Sequence, residues 1–172
     1  MSYNTKNSIS EAFISLAKKK NIDRITVKDL VTLCGISRQS FYYHFRDIED
    51  IIEWTIRQEI QKGIRNLSGT ASPEEAFKSL IQNTAKEYNI LTKLLQSQYK
   101  DLTIKIFLEG LKIYLWEIVR QNHPNYFVNL NTAEISLDFY AYGICGLLIQ
   151  HCADKHLDVD LLARQLCDFS KQ

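Results

Sequence analysis

Thr26-Val-Lys-Asp-Leu-Val-Thr-Leu-Cys-Gly-Ile-Ser-Arg-Gln-Ser-Phe-Tyr-Tyr-His-Phe45 is the stretch on which the fold of this chain turns. Thr26, followed three positions later by Asp29, opens a helix as a capping box, since hydroxyl and carboxylate each take one orphan backbone N–H. Val27, Leu30 and Val31 form the inner face of that helix, and Gly35 ends it. Ser37 then caps a second helix over residues 38–45, because its hydroxyl accepts from backbone donors that have no partner in the first turn. Two short helices across a tight glycine turn have the spacing of a helix-turn-helix, whose second helix enters the DNA major groove. The makeup of that second helix agrees. Arg38, Gln39, Ser40, Tyr42, Tyr43 and His44 are polar or hydrogen-bonding, and Phe41 and Phe45 are left to anchor it inward.

Working outward, the same helical spacing recurs nearly everywhere, and no long polar/apolar alternation argues for a sheet. Ile9, Ala12, Phe13, Leu16 and Ala17 form one stripe, with Ser8 as the expected N-cap and Lys18 to Lys20 as its solvated end. After the motif, Asp47 with Glu49 and Asp50 starts a fourth helix running to about residue 66. Asn66-Leu-Ser-Gly-Thr-Ala-Ser72 is the clearest linker, and Ser72-Pro-Glu-Glu75 restarts a helix with N-cap and Pro at N1 in place. Phe77, Leu80, Ile81, Ala85 and Tyr88 mark that helix, and further helices are expected over residues 90–95 and 101–121. Asn122-His-Pro-Asn125 breaks the pattern, Asn131-x-x-Glu134 starts a helix through Cys152 that is apolar almost all round, and a last helix from about Val159 shows Leu162, Leu166 and Phe169. The expected architecture is all-α with about nine helices.

The chain has 172 residues, 45% hydrophobic and 24% charged, enough to bury a core without staples and unlike a disordered or collagenous sequence. The net charge of +1 gives no hint of a nucleic-acid or membrane partner by itself. Its distribution says slightly more: residues 1–65 carry 11 basic and 8 acidic side chains, and the remainder 10 and 12. Cys34, Cys145, Cys152 and Cys167 lie far apart without a C-x-x-C pair, as buried thiols of a reducing cytoplasm would. The N-terminus lacks an apolar signal region, and the longest apolar stretch, residues 139–149, is far short of the roughly 20 residues of a membrane span. A cytoplasmic protein is expected, with no membrane partner.

Enzyme chemistry finds little footing. The six glycines never form G-x-G, no G-x-S-x-G is present, and none of the ten Glu residues has His three positions later, as a di-iron bundle would need. His151, Cys152 and His156 are spaced for metal ligation, but a histidine near a helix C-terminus beside a buried thiol explains them as well. No enzyme, cofactor or metal is expected.

The motif stretch closely resembles the N-terminal domain of the TetR/AcrR transcriptional regulators, through Gly-Ile-Ser at 35–37, Ser-Phe-Tyr at 40–42 and His-Phe at 44–45, over residues 8–46. Beyond it, Glu53-Trp54, Lys93-Leu-Leu-Gln-Ser97, Tyr142-Gly-Ile-Cys-Gly-Leu-Leu148 and residues 158–166 resemble a short TetR subgroup that includes regulators of dihydroxyacetone-kinase operons. That subgroup often has Trp where this chain has His151 or Cys152. The resemblance implies a homodimer with a DNA-binding head, residues 1–46, and an effector-binding and dimerisation body, residues 47–172.

It also implies roles. Arg38, Gln39 and Tyr43 would face base edges of double-stranded DNA, Arg suiting guanine and Gln suiting adenine because each makes a bidentate contact. Lys28 would reach a base or phosphate, and Thr26, Ser37, Tyr42 and His44 would hold phosphate oxygens beside Ser40. A lysine common near the start of the fourth helix is Ile48 here, one phosphate contact fewer. Dimerisation would use Ala141, Tyr142, Cys145, Gly146, Leu148 and Ile149 with Leu162 and Leu166, which could equally be intramolecular core. An effector, small molecule or partner protein, would meet a pocket drawn from Trp54, Phe77, Tyr88, Phe107, Tyr114 and Tyr140, although aromatics at helical spacing are also ordinary core. The rival function is a helical protein-interaction module whose head no longer reads DNA.

Overall fold

A computed structural model describes residues 2–67, 72–122, 130–152, 154 and 157–169. The linker expected at 66–72, the break after Asn122, His156 and the side chain of Phe169 lie wholly or partly outside them. Among the described residues the chain forms nine α-helices, one 3₁₀ turn (Ile22–Arg24) and no strand. The helices are α1 (Ser2–Lys19), α2 (Val27–Cys34), α3 (Arg38–His44), α4 (Ile48–Leu67), α5 (Pro73–Lys86), α6 (Tyr88–Leu95), α7 (Lys100–Asn122), α8 (Leu130–His151) and α9 (Val159–Phe169). The all-α expectation holds. Two boundaries move: α1 begins at Ser2, so Ser8 is not its N-cap, and α8 begins at Leu130, so Asn131 lies inside it. In both cases a cap-forming side chain precedes an apolar run, yet no Gly or Pro lies between the observed start and the expected one.

The chain forms two compact units, one of residues 1–58 with 89–106, the other of residues 59–88 with 107–172. In the first, Ile9, Phe13 and Ala17 of α1 pack with Ile22, Leu30, Phe41, Phe45, Ile51 and Ile52 in one buried cluster. Helix α6 belongs to this cluster through Ile90 and Leu94, although 20 residues separate it from α4. Its Lys93 ammonium donates to the carbonyls of Ala17 at 2.6 Å and Lys18 at 3.0 Å, closing the C-terminal end of α1 where the last turn leaves acceptors unpaired. Nearby, the Gln98 backbone N–H donates to the Asp23 carboxylate at 3.1 Å. Ser10 and Thr55 share a buried hydroxyl hydrogen bond of 2.8 Å, so neither polar group is left unsatisfied inside the core.

In the second unit α5 packs along α9, and Lys78 pairs with Asp160 at 2.5 Å. Tyr114 donates its hydroxyl to the Ala76 carbonyl at 2.8 Å, and Tyr88 donates to that of Ile149 at 2.8 Å. Gly110 on α7 allows Ile60 of α4 to approach: a Cβ there would stand 2.5 to 3.0 Å from the Ile60 Cδ1, Cγ2 and Cγ1 atoms. Ile60 is β-branched and stiff at χ1, so it yields poorly. Gly110→Ala is therefore expected to lower stability by about 1–2 kcal/mol, overpacking outweighing the better helix propensity of Ala. A urea-denaturation cycle checks this: the loss should shrink in an Ile60→Ala background, and equal losses in both backgrounds would refute the clash.

Candidate nucleic-acid interface

Local hydrogen bonding fixes the helix pair. The Thr26 hydroxyl accepts from the Asp29 backbone N–H at 3.2 Å while the Asp29 carboxylate accepts from the Thr26 N–H at 2.8 Å, the full capping box. Gly35 closes α2 at φ +64, the only positive φ among the described residues. A Cβ at Gly35 would meet nothing within 4 Å, so backbone conformation rather than space calls for glycine there. Ser37 accepts from the Ser40 N–H at 3.0 Å and starts α3. Phe41 is fully buried and Phe45 nearly so, with Trp54 edge-on to Phe45 at 5.8 Å.

The same anchoring turns the rest of α3 outward. Arg38 and Gln39 are exposed, Tyr42 is 57% exposed and Tyr43 80%, a large aromatic surface for a helix of seven residues. Tyr42 keeps an edge contact with Phe41 at 5.3 Å, and Tyr43 stands edge-on to His44 at 5.0 Å. Ser40 and His44 are half-buried, and Thr26, Lys28 and Ser37 are exposed beside them. All nine residues expected to meet DNA thus sit on this one helix pair, and among the described residues neither Lys28 nor Arg38 is paired with a carboxylate. Seven side chains with hydrogen-bonding ends, two of them aromatic, stand in solvent on this helix pair. Such a face suits base edges and phosphates.

The Asp29 carboxyl is pulled from its ordinary value of 3.8 down to about 2, first by its hydrogen bond from Lys20 at 2.7 Å and then by those from Thr26. Because the folded value lies below the unfolded one, this contribution to stability is complete above about pH 4 and is lost as pH falls from 3.8 towards 2. Thermal melts across pH 2–5 should show Asp29→Asn losing less stability over that window than wild type. Parallel curves would show that the carboxylate does not carry the acid sensitivity.

The expected effector residues are not gathered in the same way. Trp54 belongs to the first unit and packs on Phe45, whereas Phe77, Tyr88, Phe107, Tyr114 and Tyr140 belong to the second. The Trp54 indole is an apolar cover for the helix pair. Phe77 and Tyr114 are buried, and burial pushes the Tyr114 hydroxyl far above the usual tyrosine range. Phe107 and Tyr140 are half-buried.

The dimer residues also divide. Ala141, Cys145, Leu148 and Leu166 are buried within the single chain, which fits the reading of them as intramolecular core. They sit on the inward side of their helices, where small and apolar residues fill the second unit's own core. Tyr142 and Gly146 are exposed, and Ile149 and Leu162 are half-buried. Ile135 and Phe139, missed in the sequence, are 73% and 75% exposed on the same side of α8 as Tyr142. Cys152 is buried with its thiol directed at the Ile81 carbonyl, and burial raises its pKa to about 11, which does not suit a metal-binding thiolate. Among the described residues no group of three potential metal ligands occurs, and no helix is long and apolar enough to cross a membrane.

Residues 9–54 match the family model for bacterial regulatory proteins of the tetR family. The chain carries a TetR-family N-terminal domain. Its TetR-type helix-turn-helix is the α2–α3 pair, and the matched region ends inside α4, so α6 adds to the head's core from outside it. The whole chain also has the TetR fold. It resembles the dihydroxyacetone kinase operon activator DhaS, with a TM-score of 0.75 at 17% identity over 96% of this chain and 93% of that one. A TetR transcriptional regulator from Streptococcus agalactiae 2603V gives 0.68 at 19% identity over 98% and 94%. A transcriptional regulator from Aquifex aeolicus VF5 gives 0.63 at 20% identity over 97% and 98%. The comparison with curated proteins gives no match.

Proposed function

We propose that this chain is a cytoplasmic DNA-binding transcriptional regulator that binds a palindromic operator as a homodimer and is controlled by an effector, either a small molecule or a partner protein. The observation that carries the proposal is the outer face of α3. Arg38, Gln39, Tyr42 and Tyr43 are held in solvent by a helix whose other side is locked by Phe41 and Phe45. In this proposal Arg38, Gln39 and Tyr43 read base edges, Lys28 reaches a base or phosphate, and Thr26, Ser37, Ser40, Tyr42 and His44 fix the register on the backbone. The functional division is a head of residues 1–46 and a body of residues 47–172.

One head offers few cations, so a second half-site supplies the affinity, and two-fold symmetry of the protein is mirrored in the operator. The exposed apolar side of α8, Ile135, Phe139 and Tyr142 with the glycines 143 and 146 that let a second helix come close, supports self-association there. Leu161 on α9 is 47% exposed, and Ile149 and Leu162 remain at the margin of that proposed interface. The effector acts by binding better to one arrangement of the heads than to the other, and Phe107 and Tyr140 are candidate lining residues within the second unit. Selection of bound duplexes from a random pool tests the proposal. A two-fold symmetric motif supports it, and a dimer indifferent to duplex sequence refutes it.

A further inference from the structure

Lys6 lies on the additional turns that α1 gains by starting at Ser2. Its ammonium sits over the Phe45 ring, 5.2 Å from the centroid. Phe45 directly follows His44, the last residue of α3, so this cation stands at the C-terminal end of the recognition helix. The chain beyond is acidic. Asp47, Glu49 and Asp50 crowd the entry of α4, where the Asp47 carboxylate accepts from the Asp50 N–H at 2.8 Å. The Asp50 carboxylate accepts from the Arg46 backbone N–H at 2.9 Å and pairs with its guanidinium at 3.5 Å. Arg46 is thus drawn towards Asp50 on this flank, with most of its side chain in solvent. Lys6 has no carboxylate partner among the described residues.

A duplex that receives Arg38, Gln39 and Tyr43 in its major groove presents a row of phosphates to each end of α3. At the C-terminal end Asp47 and Glu49, the two carboxylates left once Asp50 is paired with Arg46, would oppose those phosphates unless a cation answers them. We propose that Lys6 is that cation: it contacts a DNA phosphate flanking each half-site, with the Phe45 ring as the platform that holds its ammonium at the groove edge. Lys6 is then a backbone-binding residue of the head, contributed by α1 and not by the helix-turn-helix. This inference rests on the operator-binding proposal above.

The test is a salt titration of full-length protein on its selected duplex, comparing wild type with Lys6→Met, which keeps a straight apolar stem over the ring, and Lys6→Arg, which keeps the charge. Each lost phosphate contact lowers the slope of log K against log salt by about 0.9, so the dimeric Lys6→Met protein should lose about 1.8 and Lys6→Arg should retain the wild-type slope. A purely structural role over Phe45 would shift affinity or melting temperature without moving the slope. An unchanged slope in Lys6→Met, with wild type binding normally, overturns the inference about Lys6 alone. Wild-type protein that selects no duplex overturns the operator-binding proposal and this inference with it.

Discussion

Arg38→Ala should weaken binding to the selected operator by about 1–3 kcal/mol per half-site, which is about 5- to 150-fold for each protomer and the product of the two in a symmetric dimer. Arg38 is exposed at the first turn of α3 with no carboxylate partner among the described residues, so its removal leaves the fold intact. The loss should appear as poorer discrimination. Binding to unrelated duplex should change little, because the base-edge contact disappears while the backbone contacts of Thr26, Ser37 and Tyr42 remain. Fluorescence anisotropy on operator and random duplexes measures both. An equal loss on the two would place Arg38 on a phosphate and remove it from base readout.

Phe41→Ala should lower the stability of the chain by about 3–5 kcal/mol, the range for emptying a buried phenylalanine site. Phe41 is fully buried, packed edge-on by Tyr42 at 5.3 Å and against Phe45 at 6.2 Å. A seven-residue helix has almost no stability of its own, so α3 keeps its direction only through this anchoring. Operator affinity should therefore collapse with the fold. Urea denaturation of wild type, Phe41→Leu and Phe41→Ala separates the contributions: Leu, which refills much of the volume, should recover most of the loss. A Phe41→Ala protein as stable as wild type would mean that α3 is held by something other than its inner face.

What was legible in the sequence was mainly local. The caps of α2, α3, α4 and α5 at Thr26, Ser37, Asp47 and Ser72 all form as their side chains dictate. The inward Phe41 and Phe45 and the outward Arg38, Gln39 and Tyr43 follow from helical spacing, which is why the helix pair is legible in the sequence. The body was less legible for a physical reason. Helix α8 is apolar nearly all round, so no periodicity separates its buried side, Ala141, Ile144, Cys145 and Leu148, from its exposed side, Ile135, Phe139 and Tyr142. The place of α6 was equally hidden. Lys93 looks like a solvated surface lysine, and its bonds to Ala17 and Lys18 join residues 75 and 76 positions apart. Lys6 was hidden by one misplaced cap, because a start at Ser8 leaves it outside any helix.

The central claim is that the outer face of α3 reads duplex DNA, and the most direct test is selection from a random duplex pool with wild type and Tyr42→Ala side by side. The prediction is a two-fold symmetric motif, bound with strong salt dependence by wild type and more weakly by Tyr42→Ala, which removes a ring that is 57% exposed and meets the core through its edge contact with Phe41. Recovery of no enriched motif by a folded, dimeric wild-type protein would contradict it.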